Sequence, residues 1–221
     1  MVKIIAIDGP AASGKTSIGK CIAEDLDYLF FDTGIMYRAL TWAALSNNLS
    51  PKDEDNIVKL IERIEIDIRT PSKEDGRQCD VLIDEKDVTW EIREPLVDEN
   101  VSDVAAHPEV RKALTAIFRR IGLRGDVVMV GRDVGTIILP EADLKIYLDA
   151  SLQERARRRF LEATERNKNI SYDEIITNLS ERDQIDSTRS TAPLRPAADS
   201  VIINTDKLNK QEVINIIKSY L

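Results

Sequence analysis

A chain of 221 residues, 43% apolar and 32% charged, has room for one α/β domain with an insert or for two small domains, in the composition range of globular proteins. A single histidine, His107, and two cysteines, Cys21 and Cys79, exclude a zinc site of about four Cys or His ligands and a disulfide framework, and point to a cytosolic location. With 31 Lys and Arg against 39 Asp and Glu, the net charge of −8 is unlike that of a chain binding nucleic acid over its whole surface, although local arginines can still govern a cleft.

Apolar runs such as Ile4–Ile7 and Val127–Val130 fall far short of the roughly 18 residues of a membrane helix. Met1-Val2-Lys3 passes directly into a strand-like run, without an apolar leader, and no repeat or low-complexity tract is visible. Lys3–Asp8 predicts a buried strand and Gly9–Gly14 a loop. Thr16–Leu26 predicts a helix with Ile18, Ile22 and Leu26 on one stripe; Cys21 beside it reads as a packed core thiol. Leu29–Asp32 is a second strand and Gly34–Leu45 a helix carrying Met36, Leu40 and Ala44. Asn56–Ile64 closes a helix. Glu65–Thr70 alternates Ile66 and Ile68 with Glu65, Asp67 and Arg69, while Asp80–Asp84 and Asp87–Glu91 flank a Glu85-Lys86 turn. This predicts a small antiparallel sheet with one wet face, inserted at about residues 64–95. Helical spacing returns over Leu96–Ala106 and Pro108–Leu123. His107 stands before Pro108 at a helix start and reads as flanking structure, which removes the one imidazole a Ser-His-Asp or Cys-His nucleophile would need. Asp126–Val130 and Leu144–Asp149 are strands, Leu152–Arg166 and Tyr172–Ser187 helices, Ser200–Asn204 the last strand and Lys210–Leu221 the last helix. Insert aside, strands and helices alternate, as in a parallel sheet covered by helices on both faces.

Gly9-Pro10-Ala11-Ala12-Ser13-Gly14-Lys15-Thr16 matches the pattern G-x-x-x-x-G-K-[ST], set between a strand and a helix. Glycines let the backbone wrap phosphate oxygens, and the helix N-terminus adds partial positive charge. Lys15 supplies a full charge toward the β- and γ-phosphates, and the Thr16 hydroxyl can hold Mg²⁺. The pattern predicts nucleotide binding and leaves the phosphate acceptor open.

Further clusters bear on the acceptor. Asp32-Thr33-Gly34-Ile35-Met36-Tyr37-Arg38 lies at a strand's carboxyl end, where open α/β sheets bind ligands; Thr33 can equally cap the next helix and Arg38 be solvated. Gly131-Arg132-Asp133 also ends a strand: Asp133 suits a Mg²⁺ partner, Arg132 a phosphate or carboxylate ligand, and the two a surface ion pair. Arg182, Asp186 and Arg189 share a helix face, as a binding stripe or a salt-bridge ladder. Arg155, Arg158 and Arg159 also share a face, with Arg157 between them, as a lid over a triphosphate, a solvated face or an RNA patch; the lack of interleaved aromatics weakens the last.

Taken together, these residues resemble the bacterial cytidylate kinase family (CMP/dCMP kinases, long form) over nearly the whole chain. The resemblance is carried by Gly9–Ser17, Asp32–Arg38, Ser102 to Arg111 around Val104-Ala105-Ala106-His107-Pro108, Gly131–Thr136, Asp149-Ala150-Ser151 and Arg182 through Leu194. It implies one P-loop nucleotide kinase domain over residues 1–221, with a five-stranded parallel sheet flanked by helices. The insert at 64–95 would belong to an NMP-binding subdomain whose flanking helices run to about 124, and 152–170 would form a helical lid. It implies transfer of the γ-phosphoryl of ATP to CMP or dCMP in pyrimidine nucleotide metabolism, by a cytoplasmic monomer that uses ATP and Mg²⁺ and binds neither nucleic acid nor membrane.

By the same resemblance, Ser102, Arg111 and Asp133 contact cytosine, Arg182 and Asp186 the ribose, and Arg38, Arg132 and Arg189 the monophosphate, in a pocket shaped by Asp32, Thr33, Gly34 and Tyr37. Gly9, Pro10, Ala11, Ala12, Ser13, Gly14, Lys15, Thr16 and Ser17 bind ATP with Arg155 and Arg158 of the lid, Arg159 neighbouring them, and Thr16 holds Mg²⁺. Lys15, Arg132, Arg158 and Arg189 are the implied catalytic charges. Ala12 stands where many relatives carry Gly, which a tight loop tolerates if φ stays negative. Thr16 stands where several nucleotide kinases place Gly and restores the common Mg²⁺-ligating hydroxyl, while Thr33 replaces a frequent Ser and keeps its hydroxyl. Rival readings are a kinase for another small acceptor, a P-loop NTPase switch and an RNA-binding module.

Overall fold

The first apolar run, Ile4–Asp8 (β1), is buried from its second residue onward, as its composition predicts. The computed structural model describes residues 2–165, 170–189 and 191–221. The five core strands form a sheet in the order β2-β6-β1-β7-β8, where β2 is Leu29–Asp32, β6 Val127–Gly131, β7 Leu144–Asp149 and β8 Val201–Asn204. β1 and β7 run parallel with Ile5 beside Leu144, and β7 and β8 run parallel with Ile146 beside Val201. The chain divides into two compact units, Met1–Ile22 with Val130–Leu221, and Ala23–Met129.

In the first unit, α1 (Lys15–Leu26) starts at the end of the glycine-bearing loop. Two long helices, α6 (Leu152–Glu165) and α7 (Tyr172–Thr188), pack against each other. Their contact buries Ala156, Ala163, Ile175 and Leu179 together with Ala11 of the loop, so the loop is seated on the helix pair. Phe160 and Tyr172 meet edge to face at 6.0 Å beside this cluster. α7 begins with a capping box, Ser171 and Glu174 each accepting from the other's backbone N–H, and α8 (Lys210–Lys218) repeats the device with Asn209 and Glu212. The expected lid, 152–170, and the expected end of the first helix at Arg166 reach into 166–169, which lie outside the described residues.

In the second unit, α2 (Thr33–Ser46) and α3 (Glu54–Ile61) precede a three-stranded antiparallel sheet of β3 (Ile66–Arg69), β4 (Asp80–Ile83) and β5 (Lys86–Asp87). The β4–β5 turn falls on Asp84 and Glu85, one residue earlier than expected. Both have positive φ, 49° and 62°, as a two-residue turn matched to strand twist requires. The expected third strand, Asp87–Glu91, ends at Asp87, and a 3₁₀ turn follows over Glu91–Arg93. The expected wet face is wet only in part: Glu65 and Arg69 are exposed, whereas Asp67 between them is covered. Asp67 is 6% exposed because Arg69 and Arg124 bond its carboxylate at 3.0 and 2.8 Å, while Arg120 donates to the Ile66 carbonyl at 2.7 Å. Beside it, the buried Arg77 is held by Asp75, Asp80 and Asp87.

α4 (Pro95–Ala106) and α5 (Pro108–Gly122) both open on proline. Their hinge is His107, extended at φ −70°, ψ 119° because a residue before proline avoids the α region. Its Nε2 faces the Pro51 carbonyl at 2.9 Å, consistent with the structural reading. α5 buries Val110, Leu114, Phe118 and Ile121 along one stripe. Cys21 is only partly buried; Cys79 is the core thiol, its pKa pushed up to about 12 by burial.

Candidate active site

The phosphate loop owes its path to position-specific residues. A Cβ on Gly9 would lie 2.1 Å from the Leu148 carbonyl oxygen, so no other residue lets the chain leave β1 this close to β7. Ala12 occupies the left-handed region at φ 60°, so the condition for an unstrained alanine there, a negative φ, is not met. The conformation costs a residue bearing a Cβ about 1 kcal/mol or more. We expect Ala12→Gly to hold or slightly raise the Tm. Ala12→Val, whose branched Cβ fits this region worst, should lower stability by ~2 kcal/mol, about 4–8 °C in calorimetry.

Lys15 begins α1 and is 6% exposed. Its Nζ donates to the Pro10 carbonyl at 2.5 Å and to Ser13 Oγ at 3.3 Å, which folds the side chain back over the loop. Thr16 and Ser17 follow on the exposed first turn, and Ser17 Oγ donates to the Gly14 carbonyl at 3.0 Å. Behind the loop, Arg155 is 5% exposed. It donates to the carbonyls of Ala11 (3.2 Å) and Ala150 (2.9 Å) and clasps Asp183 of α7 at 3.1 and 2.5 Å. Arg155 therefore reaches the loop's backbone from α6. Arg158 lies across the end of β8, donating to the Thr205 hydroxyl at 2.9 Å and carbonyl at 2.6 Å and to Glu154 at 2.8 Å. Arg159 pairs with Glu162 on the exposed face. The arginine run thus divides among three sets of partners.

The same unit gathers a second charged group. At the end of β6, Arg132 Nε donates to Asp186 at 2.8 Å across 54 residues of sequence. Asp186 also accepts from Arg189 at 3.3 Å, and Arg189 reaches Asp133 at 3.5 Å. Asp133 and Asp186 are 6% and 9% exposed. Arg189 ends α7 in extended conformation, φ −60°, ψ 140°, so it leaves the helix face and turns inward, its Nε on the Ala192 carbonyl at 2.5 Å. Asp186 therefore joins a local i,i+3 pair with Arg189 to a long-range partner, Arg132. Arg182 sits one turn earlier on the exposed side of α7. Two guanidiniums, planar forks suited to oxyanions, alternate with two carboxylates that orient them.

The second unit holds Tyr37, Arg38 and Arg111, and brings Arg111 to Tyr37. Tyr37 is 8% exposed, tilted against Phe118 at 5.9 Å, with the Arg111 guanidinium over its ring at 5.4 Å. Arg38 is paired with Asp98 of α4 and donates to the Ile92 carbonyl at 3.5 Å. Asp32, and not Thr33, caps α2, accepting from the Gly34 N–H at 2.9 Å; Thr33 is buried as the first helical residue. Ser102 lies exposed on α4, which packs on α2.

Sequence reasoning passed over Asp8, Asp98 and Asp183, the carboxylates that orient this machinery. Asp8 had the one readable signal: an acid ending an apolar strand immediately before the loop.

A strand–glycine loop–helix unit of this geometry, on a parallel sheet flanked by helices, defines a P-loop nucleotide-binding protein. The chain aligns over all of its length with 98% of the structure of an uncharacterized protein from Eubacterium ventriosum, at 13% identity and a TM-score of 0.53, a likeness of fold alone. The family model for cytidylate kinase matches residues 5–221. A cytidylate kinase of Chloroflexus aggregans is 47% identical over 96% of this chain and 91% of its own length. That of Bacillus subtilis is 42% identical over 95% and 92%. The chain belongs to the cytidylate kinase family. Among the described residues, no helix is long and apolar enough to cross a membrane.

Proposed function

We propose that the chain transfers the γ-phosphoryl group of ATP to the phosphate of CMP or dCMP, giving ADP and CDP or dCDP. The observation that carries this reading is the pairing, in one compact unit, of a lysine-bearing phosphate loop with the Arg132–Asp186–Arg189–Asp133 group. A donor phosphate chain and an acceptor phosphate both need such cationic cradles. The acceptor oxygen is mostly anionic at pH 7, its second pKa being near 6, so no general base is required. That suits a chain with one histidine placed at a helix hinge. The chemical task is alignment of two polyanions and neutralisation of charge on the transferring group.

Gly9 to Ser17 bind the phosphates of ATP, with Lys15 on the β- and γ-phosphates. Arg155 serves ATP through the Ala11 carbonyl, and Arg158 adds charge on the ATP side. The exposed Thr16 hydroxyl, a hard oxygen on the first turn of α1, fits Mg²⁺ shared with phosphate oxygens; the ion would supply further charge neutralisation. Arg132 and Arg189, with Arg38, grip the acceptor phosphate; Arg182 and Asp186 bind the ribose; Ser102, Arg111 and Asp133 read cytosine. Asp32, Thr33, Gly34 and Tyr37 shape the acceptor site. We read the chain as a monomer acting on small nucleotides and not on membrane; a cytoplasmic location accords with the two cysteines, and a substrate other than nucleic acid with the net charge of −8.

A coupled ADP-release assay with Mg-ATP tests the proposal. Turnover is expected with CMP and dCMP, weak turnover with UMP, and none with AMP, GMP or no acceptor. ADP release without acceptor, or only with a purine nucleotide, overturns it.

A further inference from the structure

Asp8 lies outside the phosphate-loop pattern, yet it joins that loop to the segment after β6. It ends β1 directly before Gly9 and is 3% exposed. Its two carboxylate oxygens accept from the backbone N–H groups of Val134, at 2.8 Å, and Gly135, at 2.7 Å. Those donors open the π-helical turn, Val134–Ile138, that follows Asp133. Turns of this kind are uncommon and recur at functional sites.

A carboxylate can satisfy both N–H groups at once, whereas an amide offers a single acceptor oxygen and would set its own donors against the second. Gly135 is fitted to the arrangement: a Cβ there would lie 3.3 Å from Asp8 Oδ2 and 3.3 Å from the Lys145 side chain. The charged and titratable neighbours are Lys15 of α1, Asp133 after β6, and Tyr147 and Lys145 of β7, the last bound to Asp199. Burial raises the pKa of Asp8 to about 6, opposed by the two N–H bonds, so the group is mostly ionised at neutral pH.

We propose that Asp8 is a positioning residue: by holding the N–H groups of Val134 and Gly135, it sets the direction in which Asp133 leaves the backbone, and ties acceptor reading to the first residue of the phosphate loop. The inference rests on the reading of Asp133 as a CMP-binding residue. Burying this charge works against stability, and the Asn variant removes that burden while leaving one N–H without its acceptor. The two effects oppose, so a loss of function here need not bring a loss of fold.

The test measures KM for CMP, KM for ATP, kcat and Tm in Asp8→Asn, Gly135→Ala and Asp133→Ala. Asp8→Asn is expected to raise the CMP KM by about tenfold, the scale of a small misplacement of a contact group, with the ATP KM within about twofold and the Tm within a few degrees. Gly135→Ala presses a methyl group on the same carboxylate and is expected to give the same split; it decides the matter if Asp8→Asn does not fold. If Asp133→Ala raises the CMP KM and the other two leave it unchanged, the positioning role is wrong. If all three leave it unchanged, the reading of Asp133 has failed, and the inference with it. Equal rises in both KM values with a fall in Tm reduce Asp8 to a purely structural residue and overturn the proposal as well.

Discussion

Lys15→Ala is expected to lower kcat for CMP phosphorylation by ~10³-fold or more, equivalent to about 4 kcal/mol of transition-state stabilisation, without unfolding the chain. The size follows from where the charge sits. Nζ lies over the loop, on the Pro10 carbonyl and Ser13 hydroxyl, and the residue is almost wholly buried. A cation removed from water acts on a developing phosphoryl charge through a lower effective dielectric than a surface lysine does. Stability changes little because opposing terms meet there. Alanine leaves the Pro10 carbonyl without this donor. It also removes a positive charge from the first residue of α1, where the helix dipole disfavours one, and the helix gains a better former. Single-turnover kinetics and calorimetry on the purified variant separate the two effects. A near-wild-type kcat would remove the loop from the chemistry and with it the assignment of the whole site.

Much of this architecture is legible in the order of residues because burial writes itself into local pattern. Ile4–Asp8 and Val127–Gly131 are apolar runs, and both are buried strands within a residue of their expected bounds. The stripes of α1 and α5 and the glycines of the loop are equally local signals. What stayed hidden depends on partners distant in sequence. Nothing in Glu65–Thr70 tells that Arg120 and Arg124 cover its polar face, since they lie some 50 residues further on. The positive φ of Ala12 leaves no trace in an alanine, which is ordinarily a helix former. The turn at Asp84-Glu85 was displaced by one residue because Lys86 pairs with Ile83 instead of turning. In the site, Arg132, Asp133 and Arg189 were visible as residue types at strand and helix ends. The Arg132–Asp186 and Arg189–Asp133 links, and the orienting roles of Asp8 and Asp183, are long-range contacts that spacing does not encode, whereas Asp186 and Arg189 pair locally, as their spacing allows.

Asp133→Ala is expected to lower kcat/KM for CMP by about 10²-fold while ATP affinity changes by less than about twofold. A carboxylate at the end of β6 can accept from the exocyclic amine of cytosine. Uracil presents a carbonyl oxygen at that position, and two acceptors facing each other repel, so the wild type should disfavour UMP and the variant should lose most of that preference. The fold should tolerate the change. Asp133 is 6% exposed and lies near Asp8, whose pKa it helps to raise by like-charge repulsion, so its removal relieves a cost. Arg189 keeps Asp186 and the Ala192 carbonyl as partners. The measurement is a pair of KM series, CMP and UMP at saturating ATP, beside equilibrium binding of ATP alone. Equal losses for ATP and CMP would assign Asp133 to Mg²⁺ and the donor nucleotide instead of the base. A selective loss for CMP with UMP turnover unchanged or improved would fix Asp133 as the residue that distinguishes the two pyrimidines.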